Sequence, residues 1–341
     1  MQNKKESVLL TGGAGYIGSH TALAMIENGA DVYILDNLST GSRDNVPKEA
    51  SFYEGDIFDE ALVKDILNDN QIGTVVHFAG SIIVPESVTD PLKYYDNNTS
   101  ASCKLARTCI RNNVRRFIFS STAAVYGAPN ETAVTEETPT EPISPYGTSK
   151  LMTEWMLRDA SRAYDFKYIA LRYFNVAGAD PKGRIGQTTP NATHLIKVAA
   201  QVTCGTREYM EIFGNDYDTP DGTCIRDFIH VSDLASAHVS AMEYLIEGGG
   251  SMILNCGYGK GTSVKEVLEA FETVSGQNLD IRMADRRSGD IACLIANSDK
   301  LKNVLNWQPQ HDDLETIVRT TLDWEMRMTT ETSSHDLGSD Q

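Results

Sequence analysis

The feature that most constrains the fold is a glycine-rich turn between an apolar segment and an amphipathic one. Val8-Leu9-Leu10 has the pattern of a short buried strand, and a helical pattern starts at Ile17. Gly12, Gly15 and Gly18 lie between or at the start of these two elements. In this context glycines allow a tight turn and a close approach of backbone amides to a pyrophosphate. From this segment alone, a purely structural turn remains an equal alternative.

The first half of the chain repeats the same strand–helix order. Short apolar runs predict buried strands at 8–10, 32–35, 75–78, 117–119 and 168–171. Apolar positions at three-to-four spacing predict helices at 17–28, 60–68, 98–112 and 146–164. Alternating strands and helices are typical of an α/β protein. We therefore expect a Rossmann-type, doubly wound parallel sheet.

After Asn175 the pattern changes to longer loops, including 180–191 and 216–223. Further helices are predicted at 234–246, 264–274 and 314–327, with a strand at 252–255. We expect residues 1–175 to form the cofactor-binding domain, with a return to it at 226–250. Residues 176–328 should form mainly a smaller C-terminal substrate-binding α/β lobe. The polar residues 329–341 are predicted to be a disordered tail.

Composition excludes several classes of protein. The 341 residues carry a formal net charge of −17, which argues against nucleic acid and anionic membrane as partners. No apolar run approaches the ~20 residues of a membrane span, and the N-terminus shows no secretion signal. The six cysteines form no CxxC pair and the seven histidines no HxxxH motif. We expect a cytoplasmic, reduced protein that binds no metal.

Two carboxylates follow predicted strands where a dinucleotide would lie. Asp36, 18 residues after Gly18, can accept hydrogen bonds from ribose hydroxyls, and its charge favours NAD over NADP. Arg43 is near enough in sequence to weaken that preference. Asp56 suits a contact with adenine, but a helix N-cap is an equally good interpretation.

A tyrosine and a lysine share one face of a predicted helix. Tyr146 and Lys150 are four residues apart, so the ammonium could help to lower the pKa of the phenol toward neutrality. Thr122 follows the strand at 117–119 and could bind a substrate hydroxyl. Each signal alone fits an ordinary helix face or a satisfied backbone. Together they indicate a site that oxidises a hydroxyl group.

Several short motifs, taken in order, resemble those of the extended short-chain dehydrogenase/reductase family, and within it the UDP-hexose 4-epimerases. The resemblance covers about residues 8–325. It rests on the sequence words Thr11-Gly12-Gly13-Ala14-Gly15-Tyr16-Ile17-Gly18, Asp36-Asn37-Leu38, Gly55-Asp56-Ile57, His77-Phe78-Ala79-Gly80, Tyr94-Tyr95-Asp96-Asn97-Asn98, Ser144-Pro145-Tyr146-Gly147 and Leu171-Arg172-Tyr173-Phe174-Asn175, and on the segment 212–231.

The resemblance implies a mechanism. Tyr146 would be the base for the sugar 4-hydroxyl, Lys150 would hold the nicotinamide ribose and lower the phenol pKa, and Thr122 would orient the hydroxyl. A tightly bound NAD would take the C4 hydride and return it to the other face of a 4-keto sugar. The substrates implied are UDP-glucose and UDP-galactose.

The resemblance also implies binding residues. The cofactor set comprises Gly12, Gly15, Tyr16, Ile17, Gly18, Asp36, Asn37, Asp56, Ile57, Phe78, Ala79, Gly80, Asn97, Lys150, Tyr173 and Phe174. The substrate set comprises Thr122, Tyr146, Asn175, Leu195, Phe213, Arg226, Val264, Arg287, Asp290 and Leu294. Arg226 and Arg287 are the expected diphosphate clamps.

Some positions depart from the family pattern. Ile82 replaces a lysine that contacts the cofactor in many bacterial members. His194 and Lys197 lie where an asparagine and a proline are frequent. Leu294 aligns with a tyrosine that limits the space at the sugar C2, so we expect that UDP-N-acetylglucosamine and UDP-N-acetylgalactosamine are also converted.

Two alternatives remain for the function. A nucleotide-sugar dehydratase needs an additional acid and base, and the positions where dehydratases carry them hold Ala123 and Ala124. A non-catalytic NAD-binding regulator on the same fold would be expected to lack Tyr146 or Lys150. The resemblance further implies a homodimer joined through the helices at 98–112 and 146–164.

Overall fold

The computed structural model describes residues 5–189, 192–287 and 289–336. The strands are β1 (Ser7–Thr11), β2 (Asp31–Asp36), β3 (Ser51–Glu54), β4 (Thr74–His77), β5 (Arg116–Thr122), β6 (Ala133–Val134), β7 (Lys167–Tyr173), β8 (Asn175–Ala177), β9 (Met210–Phe213), β10 (Ile225–His230), β11 (Met252–Cys256), β12 (Gly261–Ser263), β13 (Ile281–Ala284) and β14 (Cys293–Ala296).

The helices surround these strands. They are α1 (Tyr16–Glu27), α2 (Glu60–Asp69), α3 (Val84–Thr89), α4 (Pro91–Tyr94), α5 (Ala101–Arg111), α6 (Pro145–Ala163), α7 (Leu195–Thr203), α8 (Val231–Ile246), α9 (Val264–Ser275), α10 (Asp299–Leu305) and α11 (Leu314–Asp336). A π-helical turn, Tyr95–Ser100, leads directly into α5.

A seven-stranded parallel sheet forms the centre of the first half. Its order is β11-β7-β5-β4-β1-β2-β3. From β1 the chain first moves outward through β2 and β3, and then returns to place β4 on the other side of β1. The strand order therefore reverses between β1 and β4, which is where open α/β sheets bind their ligands. The predicted Rossmann-type sheet is confirmed.

Both faces of this sheet are covered, because successive side chains of a strand point to opposite sides. Val8 and Leu10 of β1 pack in one core cluster with residues of α1 and α8. Leu9 packs on the other face, in a cluster with residues of α2, α5 and α6. All three residues are fully buried. The continuous apolar runs in the sequence thus reflect burial on two sides.

A smaller lobe contains the remaining sheets. One has the order β12-β10-β14-β6, with β8 also paired to β10, and the other pairs β9 with β13. Helix α7 was not recognised in the sequence. It is only nine residues long, and its buried residues include a lysine, Lys197.

The end of the chain corrects one expectation. Helix α11 continues to Asp336, so residues 329–336 are helical and not the predicted disordered tail. Thr329 and Thr330 donate their hydroxyls to carbonyl oxygens four residues earlier, a contact that threonine can make inside a helix. Residues 337–341, and positions 190 and 191 of the predicted loop, lie outside the described residues.

Candidate active site

The glycine turn joins β1 to α1 as the sequence predicted. Gly12 has a φ of 74°, and a Cβ on it would lie 2.6 Å from the Ala79 amide nitrogen. A Cβ on Gly18 would lie 2.3 Å from the Gly12 carbonyl oxygen. Gly15 is the N-cap of α1 and supplies no side-chain cap, and the first turn carries no acidic residue. The N-terminal amides of α1 therefore fit a pyrophosphate group.

Asp36 fixes the segment that follows β2. Its Oδ2 accepts a hydrogen bond from the Ala14 amide at 2.9 Å, and its Oδ1 accepts one from the Leu38 amide at 2.8 Å. The carboxylate thus ties the glycine turn to the end of β2. The Arg43 guanidinium lies 4.2 Å from the centre of the Phe52 ring. Arg43, whose charge weakened the predicted preference for NAD over NADP, is thus packed against Phe52.

Asp56 lies beside Asn37 at the neighbouring strand end. The Asn37 amide donates to Asp56 Oδ2 at 2.8 Å, and the Phe58 amide donates to Asp56 Oδ1 at 2.8 Å. The alternative that Asp56 caps a helix is wrong, since Asp59 caps α2 by accepting from its first-turn amides. Ile57 is buried next to Asp56.

The end of β4 brings Phe78, Ala79 and Gly80 toward the glycine turn. The amides of Phe78 and Ala79 both donate to the Thr11 carbonyl oxygen, at 2.8 and 3.0 Å. Asn97 Nδ2 donates to Ser81 Oγ at 2.8 Å from the π-helical turn. The segment after β4 therefore lies against both β1 and the helix that carries Asn97.

Asn98 links segments of the candidate site, although the sequence pattern alone does not predict this role. Its Oδ1 accepts from the Ser81 amide at 2.7 Å, and its Nδ2 donates to Ser149 Oγ at 3.0 Å. It thereby joins the segment after β4 to helix α6. The signal was present in the adjacent pair Asn97-Asn98, because two amides at the start of a helix favour local polar contacts over propagation.

Helix α6 presents the tyrosine–lysine pair to the carboxyl edge of β5. Ser144 caps the helix by accepting from the Gly147 amide at 3.2 Å. Tyr146 and Lys150 are both buried. Lys150 Nζ donates to the Ser120 carbonyl oxygen at 3.1 Å, and burial lowers the pKa of Lys150 to about 8. A hydrogen bond from Thr122 reaches the Tyr146 side chain.

The pKa of Tyr146 is raised, whereas the neighbouring lysine was expected to lower it. Burial raises the pKa of the phenol, and the hydrogen bond with Thr122 only partly opposes this effect. The Tyr146 ring also packs edge-on against Tyr94, with centroids 6.4 Å apart. Removal of the phenol from water therefore sets the direction of the pKa shift.

The end of β7 completes this edge. Tyr173 shares a short hydrogen bond with the Ser120 hydroxyl. The Phe174 amide donates to the Cys256 carbonyl at 3.3 Å, and its side chain is buried. Asn175 begins β8 and is exposed. Ser120 thus contacts both Lys150 and Tyr173, a position that sequence reasoning had left unassigned.

The remaining predicted substrate residues follow Asn175 in the chain. The Arg287 guanidinium stacks 4.2 Å from the Phe213 ring centre, and its Nε donates to Asp290 Oδ2 at 3.2 Å. Arg226 on β10 is in register with Leu294 on β14. The predicted residues thus form two separate pairs. Phe213 of β9 packs against Arg287, which follows β13, and Arg226 lies beside Leu294 on the adjacent strand.

Leu195 and Val264 begin helices α7 and α9, and both are half-buried. Near Leu195, Lys197 is buried in an ion pair with Glu325 of α11, and it donates to the Gln187 carbonyl at 2.9 Å. Lys197 therefore has a structural role in the described chain. His194 Nδ1 hydrogen-bonds Gln187 Nε2 at 3.1 Å.

Among residues 5–189, 192–287 and 289–336, no helix combines the length and apolar character needed to cross a membrane. The same residues contain no group of three His, Cys, Asp or Glu side chains arranged to hold a metal ion. The fold and the site define an α/β dinucleotide-binding enzyme with a tyrosine–lysine pair at the carboxyl edge of its sheet.

The model of the NAD dependent epimerase/dehydratase family matches residues 8–257. The chain belongs to this family, and the resemblance to the extended short-chain dehydrogenases/reductases is confirmed.

Individual relatives agree with the family assignment. The chain is 55% identical over 318 residues to a UDP-glucose 4-epimerase of Azospirillum brasilense, covering 93% of this chain and 91% of the relative. It is similar to the crystal structure of the Brucella ovis UDP-glucose 4-epimerase in complex with NAD, with a TM-score of 0.92, 42% identity, and coverage of 94% and 98% of the two chains. The UDP-Glc/GlcNAc 4-epimerase of Campylobacter jejuni has a TM-score of 0.83, 49% identity, and coverage of 94% and 99%.

Proposed function

We propose that the protein catalyses the reversible epimerisation of UDP-glucose and UDP-galactose at C4, through a transient 4-keto sugar and with tightly bound NAD. The observation that carries this proposal is the placement of Thr122, Tyr146 and Lys150 at one sheet edge. Ala123 and Ala124 directly follow Thr122, so the proton-transfer groups of a dehydratase are missing at those positions. The site therefore supports a reaction confined to C4.

The cofactor site follows the carboxyl edge of the large sheet. NAD, when bound, would supply a reversible hydride acceptor that carries a positive charge in its oxidised form. The uncapped N-terminus of α1 would hold its pyrophosphate, and Asp36 would accept hydrogen bonds from the ribose hydroxyls. The proposed binding residues are Gly12, Gly15, Tyr16, Ile17, Gly18, Asp36, Asn37, Asp56, Ile57, Phe78, Ala79, Gly80, Asn97, Lys150, Tyr173 and Phe174.

The chain's own groups manage the proton. Thr122 orients the sugar 4-hydroxyl toward Tyr146, whose phenolate oxygen accepts the proton and later returns it. Burial raises the pKa of Tyr146, so a charge near it must stabilise the phenolate during turnover. Lys150 supplies one positive charge from its position at the Ser120 carbonyl.

The smaller lobe would bind the UDP part of the substrate. We propose that residues 1–175 form the cofactor domain, with the return at 226–250, and that 176–328 form mainly the substrate lobe. Arg226 and Arg287 clamp the diphosphate, which needs local donors in a chain of net charge −17. The proposed substrate residues are Thr122, Tyr146, Asn175, Leu195, Phe213, Arg226, Val264, Arg287, Asp290 and Leu294.

N-acetylated substrates form part of the proposal. Leu294 lies in a buried cluster with Phe174, and its side chain is smaller than the tyrosine found in some family members. The space gained next to the sugar C2 can hold an acetamido group. The similarity to the Campylobacter jejuni enzyme, which is described as a UDP-Glc/GlcNAc 4-epimerase, supports this view.

We further propose a homodimer and a reducing, cytoplasmic location. Helix α6 carries the exposed side chains Met152 and Trp155, which suit an interface with a second copy. All six cysteines are free thiols, as a reducing compartment would maintain them.

One assay separates the alternatives. The purified protein is incubated with UDP-galactose without added NAD, and the product is identified by NMR and mass spectrometry. Formation of UDP-glucose of unchanged mass supports the epimerase. A product lighter by one water supports a dehydratase, and bound NAD without any turnover supports the regulator.

A further inference from the structure

We propose that Glu154 and Arg172 form a positioning pair for the active site, setting how helix α6 sits on the sheet and balancing the charge next to Lys150. This inference rests on the proposed function. Tyr146, Lys150 and Glu154 are four residues apart in turn, so they lie along one stripe of α6. Glu154 is thus the third polar residue on the face that carries the chemistry.

Helix α6 contacts the sheet through an ion pair with defined geometry that is buried away from water. Arg172 lies on β7 and approaches Glu154 with both ends of its guanidinium fork, at 2.9 Å from Nε to Oε1 and 2.6 Å from Nη2 to Oε2. The exposed fractions of the two side chains are 4% and 1%. A planar, two-point contact fixes direction as well as distance. It therefore prevents α6 from rotating or sliding relative to β7.

The same carboxylate also contacts β5. Ser121 Oγ donates to Glu154 Oε1 at 2.5 Å. The residues on either side of Ser121 are Ser120, whose carbonyl accepts from Lys150, and Thr122, which hydrogen-bonds Tyr146. Alternate residues of a strand face opposite sides of the sheet. The Ser121 side chain therefore contacts α6 from the face opposite to those of Ser120 and Thr122, and it holds β5 to this helix at the residue between them.

Arg172 has a third partner that extends the network. Its Nη1 donates to Tyr126 Oη at 3.0 Å, and Tyr126 donates to Asn255 Oδ1 at 2.6 Å. Three parallel strands, β5, β7 and β11, are therefore tied to α6 through one buried ion pair. Replacing such a pair by apolar side chains often leaves stability unchanged, so we assign it to placement of the helix.

The pair also determines how much charge lies one helical turn after Lys150 on α6. With both ions present, Glu154 cancels Arg172, and Lys150 keeps the only uncompensated charge on the stripe. The other titratable or charged groups that face this region come from β4, α4, the segments around β6, and β7, β11 and α6: His77, Tyr94, Tyr126, Glu136, Tyr168, Tyr173, Cys256, Arg158 and Arg162. Neutralising Glu154 alone should leave Arg172 positive and favour the Tyr146 phenolate.

The test uses the purified NAD-containing protein and three variants. Glu154→Gln keeps the shape and removes the charge, Glu154→Asp keeps the charge and shortens the side chain, and the double variant Glu154→Gln/Arg172→Gln removes both charges. The ionisation of Tyr146 is followed by phenolate absorbance, as the difference between each protein and its Tyr146→Phe counterpart. Steady-state kinetics with UDP-galactose and the NAD retained per chain are measured in parallel.

We expect Glu154→Gln to move the Tyr146 transition to lower pH by roughly half a unit to one unit, as an uncompensated charge at an effective dielectric of about 20 would. The double variant should return the transition to within about 0.2 unit of the parent. Glu154→Asp should keep the transition but lower kcat about tenfold with little change in KM, since the helix is displaced by one methylene.

Two results would overturn the proposal: an unshifted or upward-shifted transition in Glu154→Gln, or unchanged kcat in Glu154→Asp. The latter variant decides the question if Glu154→Gln does not fold. Glu325→Gln, which breaks the buried pair with Lys197, is the matched control and should leave the Tyr146 transition in place. Absence of any turnover by the parent protein would refute the proposed function. The titration of Tyr146 in Glu154→Gln would still show whether the Glu154–Arg172 pair influences this residue.

Discussion

Lys150 donates a hydrogen bond to the carbonyl oxygen of Ser120 at 3.1 Å, so the ammonium on α6 is held at the carboxyl end of β5. This contact places a buried positive charge at the sheet edge where Thr122 and Tyr146 also meet. The burial that makes the charge useful for binding also makes it costly for folding.

Replacing Lys150 by Met should stabilise the nucleotide-free protein near neutral pH. Burial lowers the Lys150 pKa to about 8 from its usual 10.5, so the unfolded chain binds more protons between these values. The free-energy cost of burying the charged ammonium is therefore greatest below pH 8 and disappears as the pH rises to about 10.5. Its upper limit is about 3 kcal/mol, reduced by about 1 kcal/mol for the lost hydrogen bond.

Thermal unfolding from pH 7 to 10 measures this effect. The variant's advantage in Tm should shrink steadily above pH 8. Lys167→Met, which changes an exposed lysine on β7, is the control and should show no such trend. A constant difference between Lys150→Met and the parent would contradict the assigned burial of charge.

Gly18→Ala should impair cofactor binding. The added Cβ would lie 2.3 Å from the Gly12 carbonyl oxygen and 2.8 Å from the Gly13 Cα, so the turn must move. We expect a loss of about 1–3 kcal/mol in stability and at least a tenfold reduction in the NAD retained after purification, measured by nucleotide release on denaturation. Gly250→Ala meets no atom within 4 Å and should retain normal NAD content. Equal NAD content in both variants would exclude the turn as a pyrophosphate site.

Leu294→Tyr should separate the two substrate classes. The larger side chain would fill the space next to Arg226 and Phe174, which we assign to the sugar C2 substituent. Conversion of UDP-N-acetylgalactosamine should fall at least tenfold, while conversion of UDP-galactose stays within about threefold, as steric exclusion in a pocket typically gives. Parallel losses for both substrates would remove Leu294 as a specificity residue.

Trp155→Glu should weaken self-association. Trp155 is 48% exposed on α6, and a charge there would have to be desolvated in a contact between two copies. Analytical ultracentrifugation should show a dimer for the parent protein and a monomer for the variant. Ile246→Glu alters an exposed apolar residue on α8 and should leave the dimer intact. A monomeric parent would refute the homodimer.

The large sheet was predictable because its strands are apolar on both faces and its helices have regular stripes. The placement of Tyr146 and Lys150 on one helix was predictable because the two residues are only four positions apart. Asn98 and the pair Glu154–Arg172 were not assigned, since their partners come from distant segments and only the packed chain brings them together. The net pKa of Tyr146 was missed for the same reason, because sequence spacing reveals a nearby charge but not the burial around it.

In the proposed reaction, the hydride removed from C4 of the sugar stays on the enzyme-bound cofactor and returns to the same carbon. UDP-galactose carrying deuterium at C4 is incubated with the purified protein in ordinary water without added NAD, and the product is examined by NMR. Tyr146→Phe provides the control and should be slower by orders of magnitude while keeping NAD. We expect UDP-glucose with the deuterium retained at C4. Loss of the label to solvent, or no UDP-glucose at all, would contradict it.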